Sequence, residues 1–312
     1  MFSAMSEPAP SLIAGTRASA LARWQTDWVR ARLAAAWPGL AWQARAYTTT
    51  GDRQPDRPLP EIGGKGVFTE ELEQALRRRE IDLVVHSLKD LPVEPAPGLV
   101  LAAICVREDA RDVLISPGGL GLAALLPGAR LGTSSVRRSA QLLAARPDLR
   151  ILPLRGNVDT RLRKAAQGDY DAIVLAAAGV LRLGLAEHIR EFLPFDVMLP
   201  APGQGALAIQ CRADDDAVRA LLAPLDDPAT RAAVTAERAF LAALGGGCSA
   251  PIAAYAVASA RSTPLHIEMR GLAAAPDGRR VVRVSGAGPE PLALGQSLAQ
   301  SALEQGAADL TR

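Results

Sequence analysis

Short apolar runs alternate along the chain with longer stretches whose apolar positions recur at helical spacing, the pattern of an α/β fold. SLIAGT predicts a strand that feeds a helix from Ala18 to about Trp37. LAWQARAYTTT predicts a second strand, followed by a polar loop carrying Asp52. In GVFTEELEQALRRRE, Phe68, Leu72, Ala75 and Leu76 fall on one helical face. IDLVVHSL reads as a buried strand that delivers Lys89 and Asp90 at its end. GLVLAAICVRE is another strand, with ARDVLISP and the Gly/Leu-rich GGLGLAALLPGA after it. RLGTSS and VRRSAQLLAARP read as strand and helix. LRILPLRG, NVDTRLRKAAQG and YDAIVLAAAGVLRLG then repeat strand, helix, strand. The proline-rich stretch after FLPFDVML is extended and leads to a final strand, Ala206 to Cys211.

Charged and proline-bearing stretches near Arg107–Asp112 and Leu199–Gly203 bracket the middle of the chain. Two such crossings are what a hinged, two-lobed architecture needs. Beyond PLDDPAT a new unit begins with a helix around Ala229–Leu244 and runs through GGGCSAP. A hairpin follows, in which Leu265, Ile267 and Met269 alternate with polar residues and PDG turns the chain. A last helix spans about Pro291 to Ala308, and no internal repeat is visible.

Composition narrows the classes of function. At 312 residues the chain has room for two or three domains. A net charge of +2 demands neither nucleic acid nor membrane, and 4% aromatics argues against a base-stacking surface. No apolar run approaches the roughly 20 residues of a membrane span. MFSAMSEPAPS lacks the basic and apolar segments of a signal peptide, so a soluble cytoplasmic protein is expected. Cys105, Cys211 and Cys248 are odd in number and widely spaced, and only three histidines accompany them. That excludes a disulfide scaffold, and no metal is expected.

Four constellations carry candidate chemistry. Lys89 and Asp90 end an apolar strand, where open α/β sheets bind ligands. A carboxylate there holds a cationic nitrogen or shuttles its proton, but the pair also reads as a solvated ion pair. GTSSVRRSAQLL sets Thr133, Ser134 and Ser135 before a helix, with Arg137 and Arg138 in its first turn. Basic residues there oppose the helix dipole, so they are poorly placed for helix stability alone. LRGNVDTRLRK repeats the idea with Arg155 and Arg161, and GTRASALARWQ with Arg17 and Ser19. Together they make a cleft for a polycarboxylate or polyphosphate, or else scattered surface arginine. GGKGVF carries Lys65 on a glycine loop without P-loop spacing, either a lid or a plain loop. Cys248, after three glycines, is an anchor or nucleophile, or an inert half-buried thiol.

These segments occur together and in one order. GTRASALARWQ, TTTGD, GGKGVFTEELEQAL, DLVVHSLKDLP, REDARDVLIS, GTSSVRRSAQL, LRGNVDTRL, DAIVLAAAGVLRLG, LPAPGQGALAI and GGGCSAPI resemble the porphobilinogen deaminases over about Leu12 to Tyr255. The resemblance implies three domains, two lobes like a type II periplasmic binding protein and a smaller α+β C-terminal domain. Their expected extents are 1–105 with 206–223, 106–205, and 224–312. It implies that Cys248 carries a dipyrromethane cofactor through a thioether. Four porphobilinogen units would lose ammonia, join head to tail, and leave by hydrolysis as hydroxymethylbilane. By the same match Asp90 is catalytic. Lys89, Asp52, Ser135, Arg137 and Arg138 would hold the cofactor. Arg17, Ser19, Gln25, Arg155, Arg161, Arg182 and Lys65 would face the substrate or growing chain. A monomer is expected. Glu61, Leu181 and Gly245 depart from common family residues, which touches fine contacts only. Two rivals remain: a carboxylate-binding sensor of the same two-lobed fold, and a transferase using Cys248 as nucleophile.

Overall fold

Two open sheets of one design and a smaller antiparallel sheet carry the fold. The computed structural model describes residues 11–53, 66–246, 250–259 and 265–310; Glu61, Lys65 and Cys248 lie outside them. Along the chain the strands are β1 (Ser11–Arg17), β2 (Ala41–Tyr47), β3 (Leu83–Ser87), β4 (Leu99–Ile104), β5 (Asp112–Ile115), β6 (Arg130–Gly132), β7 (Arg150–Leu152), β8 (Ala172–Ala176), β9 (Glu191–Phe192), β10 (Leu207–Arg212), β11 (Ile252–Ser259), β12 (His266–Ala274) and β13 (Val281–Gly288). The helices are α1 (Ala20–Ala36), α2 (Thr50–Arg53), α3 (Glu70–Arg77), α4 (Val136–Ala145), α5 (Val158–Ala166), α6 (Ala177–Arg182), α7 (Asp216–Leu222), α8 (Pro228–Ala243) and α9 (Pro291–Glu304).

The first sheet has the order β2-β1-β3-β10-β4 and the second β7-β6-β8-β5-β9. In each, the first three strands are parallel and the fourth runs antiparallel to its neighbours. That fourth strand arrives from the other sheet: β5 follows β4, and β10 follows β9. The chain therefore crosses between lobes twice, giving the two lobes of a type II periplasmic binding protein. Every residue of β5 and β10 is buried, as strands covered on both faces must be. Side-chain caps start two of the helices that leave strand ends, α1 and α4. Ser19 accepts from Ala22 N at 3.3 Å, and Ser135 from Arg138 N at 3.4 Å. A cap of this kind contributes about 1 kcal/mol.

One expected strand is shorter than its apolar run. In YDAIVLAAAGVLRLG only Ala172–Ala176 is strand, and Ala177–Arg182 is helix. Alanine favours helix, and an apolar run alone does not tell strand from helix. Arg182 thus ends a helix.

The third unit is larger than a hairpin, because β11 joins β12 and β13 in an antiparallel meander. β12 alternates as expected, with Ile267 and Met269 buried and Glu268 and Arg270 exposed. They pack with Phe240 of α8 and Leu298 of α9 in one core cluster. Among the described residues no helix is long and apolar enough to cross a membrane.

One carboxylate ties this unit to both crossings. Glu237 of α8 is fully buried. Its Oε1 accepts from Arg107 Nη1 at 2.5 Å and Ala256 N at 2.7 Å. Its Oε2 accepts from Arg107 Nη2 at 3.2 Å and Gly203 N at 2.7 Å. Removing one partner of a buried ion pair leaves an uncompensated charge and costs about 3–5 kcal/mol. Glu237→Ala is expected to lower unfolding stability by about that amount, read from the urea midpoint. An unchanged midpoint would show that the carboxylate does not hold the units together.

Candidate active site

The cleft is built from strand ends of the two lobes. β3 ends at Ser87, and a single 3-10 turn, Leu88–Asp90, turns Lys89 and Asp90 out of the sheet. Leu88, fully buried, anchors that turn in the core. Asp90 is exposed, and it lines a cavity of about 80 Å³ with Arg17, Ser19, Gln25, Phe68, Thr69, His86 and Ser87. Gln25 donates from Nε2 to Ser87 Oγ at 2.9 Å, fixing α1 against the end of β3. Arg17 donates from Nε to Asp52 Oδ2 at 3.0 Å, makes a second contact from Nη2 to Oδ1, and lies 4.4 Å from the Phe68 ring centroid. Burial pushes the Asp52 carboxyl up, but hydrogen bonds from Arg17 and Thr49 outweigh it and hold it below the usual carboxylate range. Burial pulls His86 down to about 4, so it is neutral near pH 7, with Nε2 3.1 Å from Gln210 Oε1.

The second lobe contributes cations. Arg137 and Arg138 of α4 are both buried. Asp112 at the start of β5, fully buried, pairs with Arg137 Nη1 at 2.9 Å and Arg138 Nη2 at 2.7 Å. Burial raises the Asp112 carboxyl, yet the two guanidiniums outweigh it and keep the group ionised. Burial then lowers the Arg137 pKa, and the neighbouring Arg138 adds to that. Arg161 of α5 is pulled down to about 10, by burial first and then by Arg138 and Arg155. Lys89, half-buried, is pulled down to about 8 by burial and by Arg138 and Arg137, against the opposing pull of Asp90 and Asp112. Among the described residues the cationic side chains thus outnumber the carboxylates named as acting on them. Arg138 Nε is buried with no hydrogen-bond partner among the described residues. A buried unpaired donor and a surplus of buried positive charge are both costly without an anion. This donor set fits a cofactor bearing several carboxylates.

The structure brings Lys89, Asp90, Arg137, Arg138, Arg155 and Arg161 into one electrostatic group across the cleft. Ser135 sits at the head of the helix that carries two of them. Arg17, Ser19 and Gln25 gather at the Asp90 cavity, where Arg17 holds Asp52. Arg182 stands apart. Its Nη2 donates to Gly205 O at 2.7 Å in the second crossing, and it lines a different cavity. Lys65 and Cys248 lie outside the described residues. The approach to Cys248 is defined. α8 closes with Gly245 at φ +67°, Gly245 N on Ala242 O at 3.0 Å and Gly246 N on Leu241 O at 3.1 Å. That is a Schellman stop, whose left-handed position favours glycine.

Sequence reasoning passed over Gln204 and Asp112. Gln204, fully buried, accepts from Lys89 Nζ at 3.4 Å and donates to Asp112 Oδ1 at 2.9 Å, so it couples the two lobes. Its signal in the sequence is a polar residue between two glycines, the GQG at Gly203–Gly205. Asp112 sits in REDARDVLIS, where four other charges hide it.

Fold and site define a two-lobed α/β protein whose interlobe cleft is cationic around one exposed carboxylate. The family model described as porphobilinogen deaminase, dipyromethane cofactor binding domain, matches residues 12–220, and that of the porphobilinogen deaminase C-terminal domain matches 231–304. A porphobilinogen deaminase of Roseiflexus castenholzii is 53% identical, covering 95% of this chain and 97% of its own. One of Brevibacillus brevis is 50% identical over 95% of each. One of Acidithiobacillus ferrooxidans is 49% identical over 96% of this chain and 97% of its own. The VFT2 domain of Bordetella pertussis BvgS aligns over 70% of this chain and 86% of its own, at 15% identity and a TM-score of 0.39, a likeness too weak to bear on function. The chain belongs to the porphobilinogen deaminase family.

The Lys89 shift gives a pH test. Below about pH 8 the lysine is charged in folded and unfolded chains alike. Between about 8 and its usual 10.5 the unfolded chain keeps a proton that the folded chain has lost. Lys89 therefore adds stability as pH rises through that window. Lys89→Met is expected to flatten the rise, measured by urea midpoints from pH 7.5 to 10.5. Parallel curves for the two proteins would contradict the depressed titration.

Proposed function

We propose that this chain deaminates porphobilinogen and joins four units head to tail on a dipyrromethane primer, then releases hydroxymethylbilane by hydrolysis. It is in this reading a transferase of porphyrin biosynthesis, working as a cytoplasmic monomer. The observation that carries the reading is the exposed Asp90 carboxylate facing a buried surplus of cations. Each porphobilinogen carries an acetate and a propionate, so a growing chain needs many cationic partners. Each unit also develops positive charge at a pyrrole nitrogen as ammonia departs.

The division of labour follows from position. Lys89, Ser135, Arg137 and Arg138 would hold the primer's carboxylates, with Asp52 paired to Arg17 beside the Asp90 cavity. Bound dipyrromethane supplies a pyrrole α-carbon as the nucleophile for the first unit. Asp90 holds the pyrrole N–H of the incoming unit and stabilises the charge that grows there, an effect strongest where charge develops in the transition state. Arg17, Ser19, Gln25, Arg155, Arg161 and the loop lysine Lys65 would orient the substrate and chain carboxylates. Arg182, which holds the Gly205 carbonyl through one nitrogen, would join that set from the hinge side.

Cysteine chemistry supports Cys248 as the anchor. Cys105 and Cys211 are buried, and burial pushes their thiols up to about 12 and about 11, which keeps them protonated and unreactive. A sensor of the same fold is not favoured, since ligand binding alone needs neither an anchoring thiol nor an exposed carboxylate at the centre of the cleft.

Asp90→Asn is expected to keep its melting temperature and lose at least about 10²-fold in turnover of porphobilinogen. Near-normal turnover would remove Asp90 from the chemistry. Arg161→Ala is expected to raise KM or stall elongation while Cys248 keeps its cofactor. Unchanged kinetics would make Arg161 an ordinary surface residue.

A further inference from the structure

A second and larger cavity, of about 490 Å³, lies at the hinge and shares no lining residue with the Asp90 cavity. One wall is a stripe of α1: Trp24, Trp28, Arg32 and Ala36, each one turn from the last. Facing it are Val106, Arg107 and Glu108 of the first crossing, with Leu207 at the start of β10. Arg182, from the end of α6, reaches it from the second lobe. The two indoles are half-buried, and Val106 is 66% exposed, so the walls present apolar and aromatic surface.

The charges around this cavity do not cancel. Arg107 is matched by the buried Glu237. Glu108 acts on Arg182. Arg32, 4.8 Å from the Trp28 ring centroid, has no carboxylate partner among the described residues. Arg182, 5.9 Å from the Trp24 centroid, makes its one hydrogen bond among those residues to Gly205 O. Each indole thus carries a guanidinium over one face, and the pair of layers keeps a residual positive charge. The volume falls in the range of about 300–1,000 Å³ typical of small-molecule sites.

We propose that this hinge cavity binds a small, flat aromatic carboxylate, its ring against the wall of indoles and guanidiniums formed by Trp24, Trp28 and Arg182 and its carboxylate at Arg32. α1 belongs to the first lobe and Arg182 to the second, so an occupant bridges the lobes and resists their rotation about the crossings. A ligand of this kind acts on the enzyme away from the site of chemistry.

The test is calorimetric titration of the holoenzyme with 2-naphthoate. One saturable site is expected, with the neutral 2-naphthamide binding about tenfold more weakly or worse, the scale of one lost charge contact. Arg32→Glu, an exposed substitution, is expected to weaken 2-naphthoate at least about tenfold and leave porphobilinogen turnover unchanged. Trp28→Leu should weaken it comparably. Absence of saturable heat, or wild-type affinity in both variants, would overturn the proposal. So would displacement of the probe by porphobilinogen, because that outcome puts the probe in the catalytic cleft.

Discussion

The structure depends on one buried carboxylate. Asp112 sits between Arg137 and Arg138 with no exposure to solvent, and Gln204 links it to Lys89 of the other lobe. Without it, two guanidiniums would lie in the interior uncompensated, which a fold of ordinary stability does not tolerate. With it, the charges still do not balance. Burial depresses Lys89 and Arg161, and the positive charge of Arg138 adds to that at both. A polycarboxylate bound there relieves that charge, so affinity for the anionic chain is stored in the fold as an incomplete ion-pair network.

In the proposed reading, the same constraint separates the catalytic residue from the binding residues. The arginines are half-buried or buried and held by backbone carbonyls: Arg138 by Val174, Arg137 by Leu199 and Arg161 by Gly156. They are preorganised as binding groups, which lowers the cost of fixing a flexible ligand. Asp90 is exposed at the tip of a 3-10 turn, where successive rings can come to it. Glu237 and Gln204 fasten the crossings on either side, so the hinge around this cleft is defined by buried hydrogen bonds.

Much of this was legible in the sequence because strand ends carry the chemistry. Apolar runs ending in Arg17, in the serines before Arg137 and in Arg155 marked three strand–turn–helix sites, and each lies at such a junction. The alternation in Ile267 and Met269 gave the last sheet, though β11 escaped notice because IAAYAVAS is half alanine and lacks a clear period. The helix at Ala177–Arg182 escaped for the same reason, and with it the separate position of Arg182. Asp112 and Gln204 could not be read as partners, since they lie 92 residues apart and meet only when the chain crosses between lobes twice. Which arginines are neutralised and which are not is a property of burial, and no local pattern encodes it.

The most direct measurement is the intact mass of the purified protein with a peptide map across Cys248. The account predicts a two-pyrrole adduct confined to the Cys248 peptide, with Cys105 and Cys211 unmodified. A free, readily alkylated Cys248 that stays unmodified after incubation with porphobilinogen would contradict it.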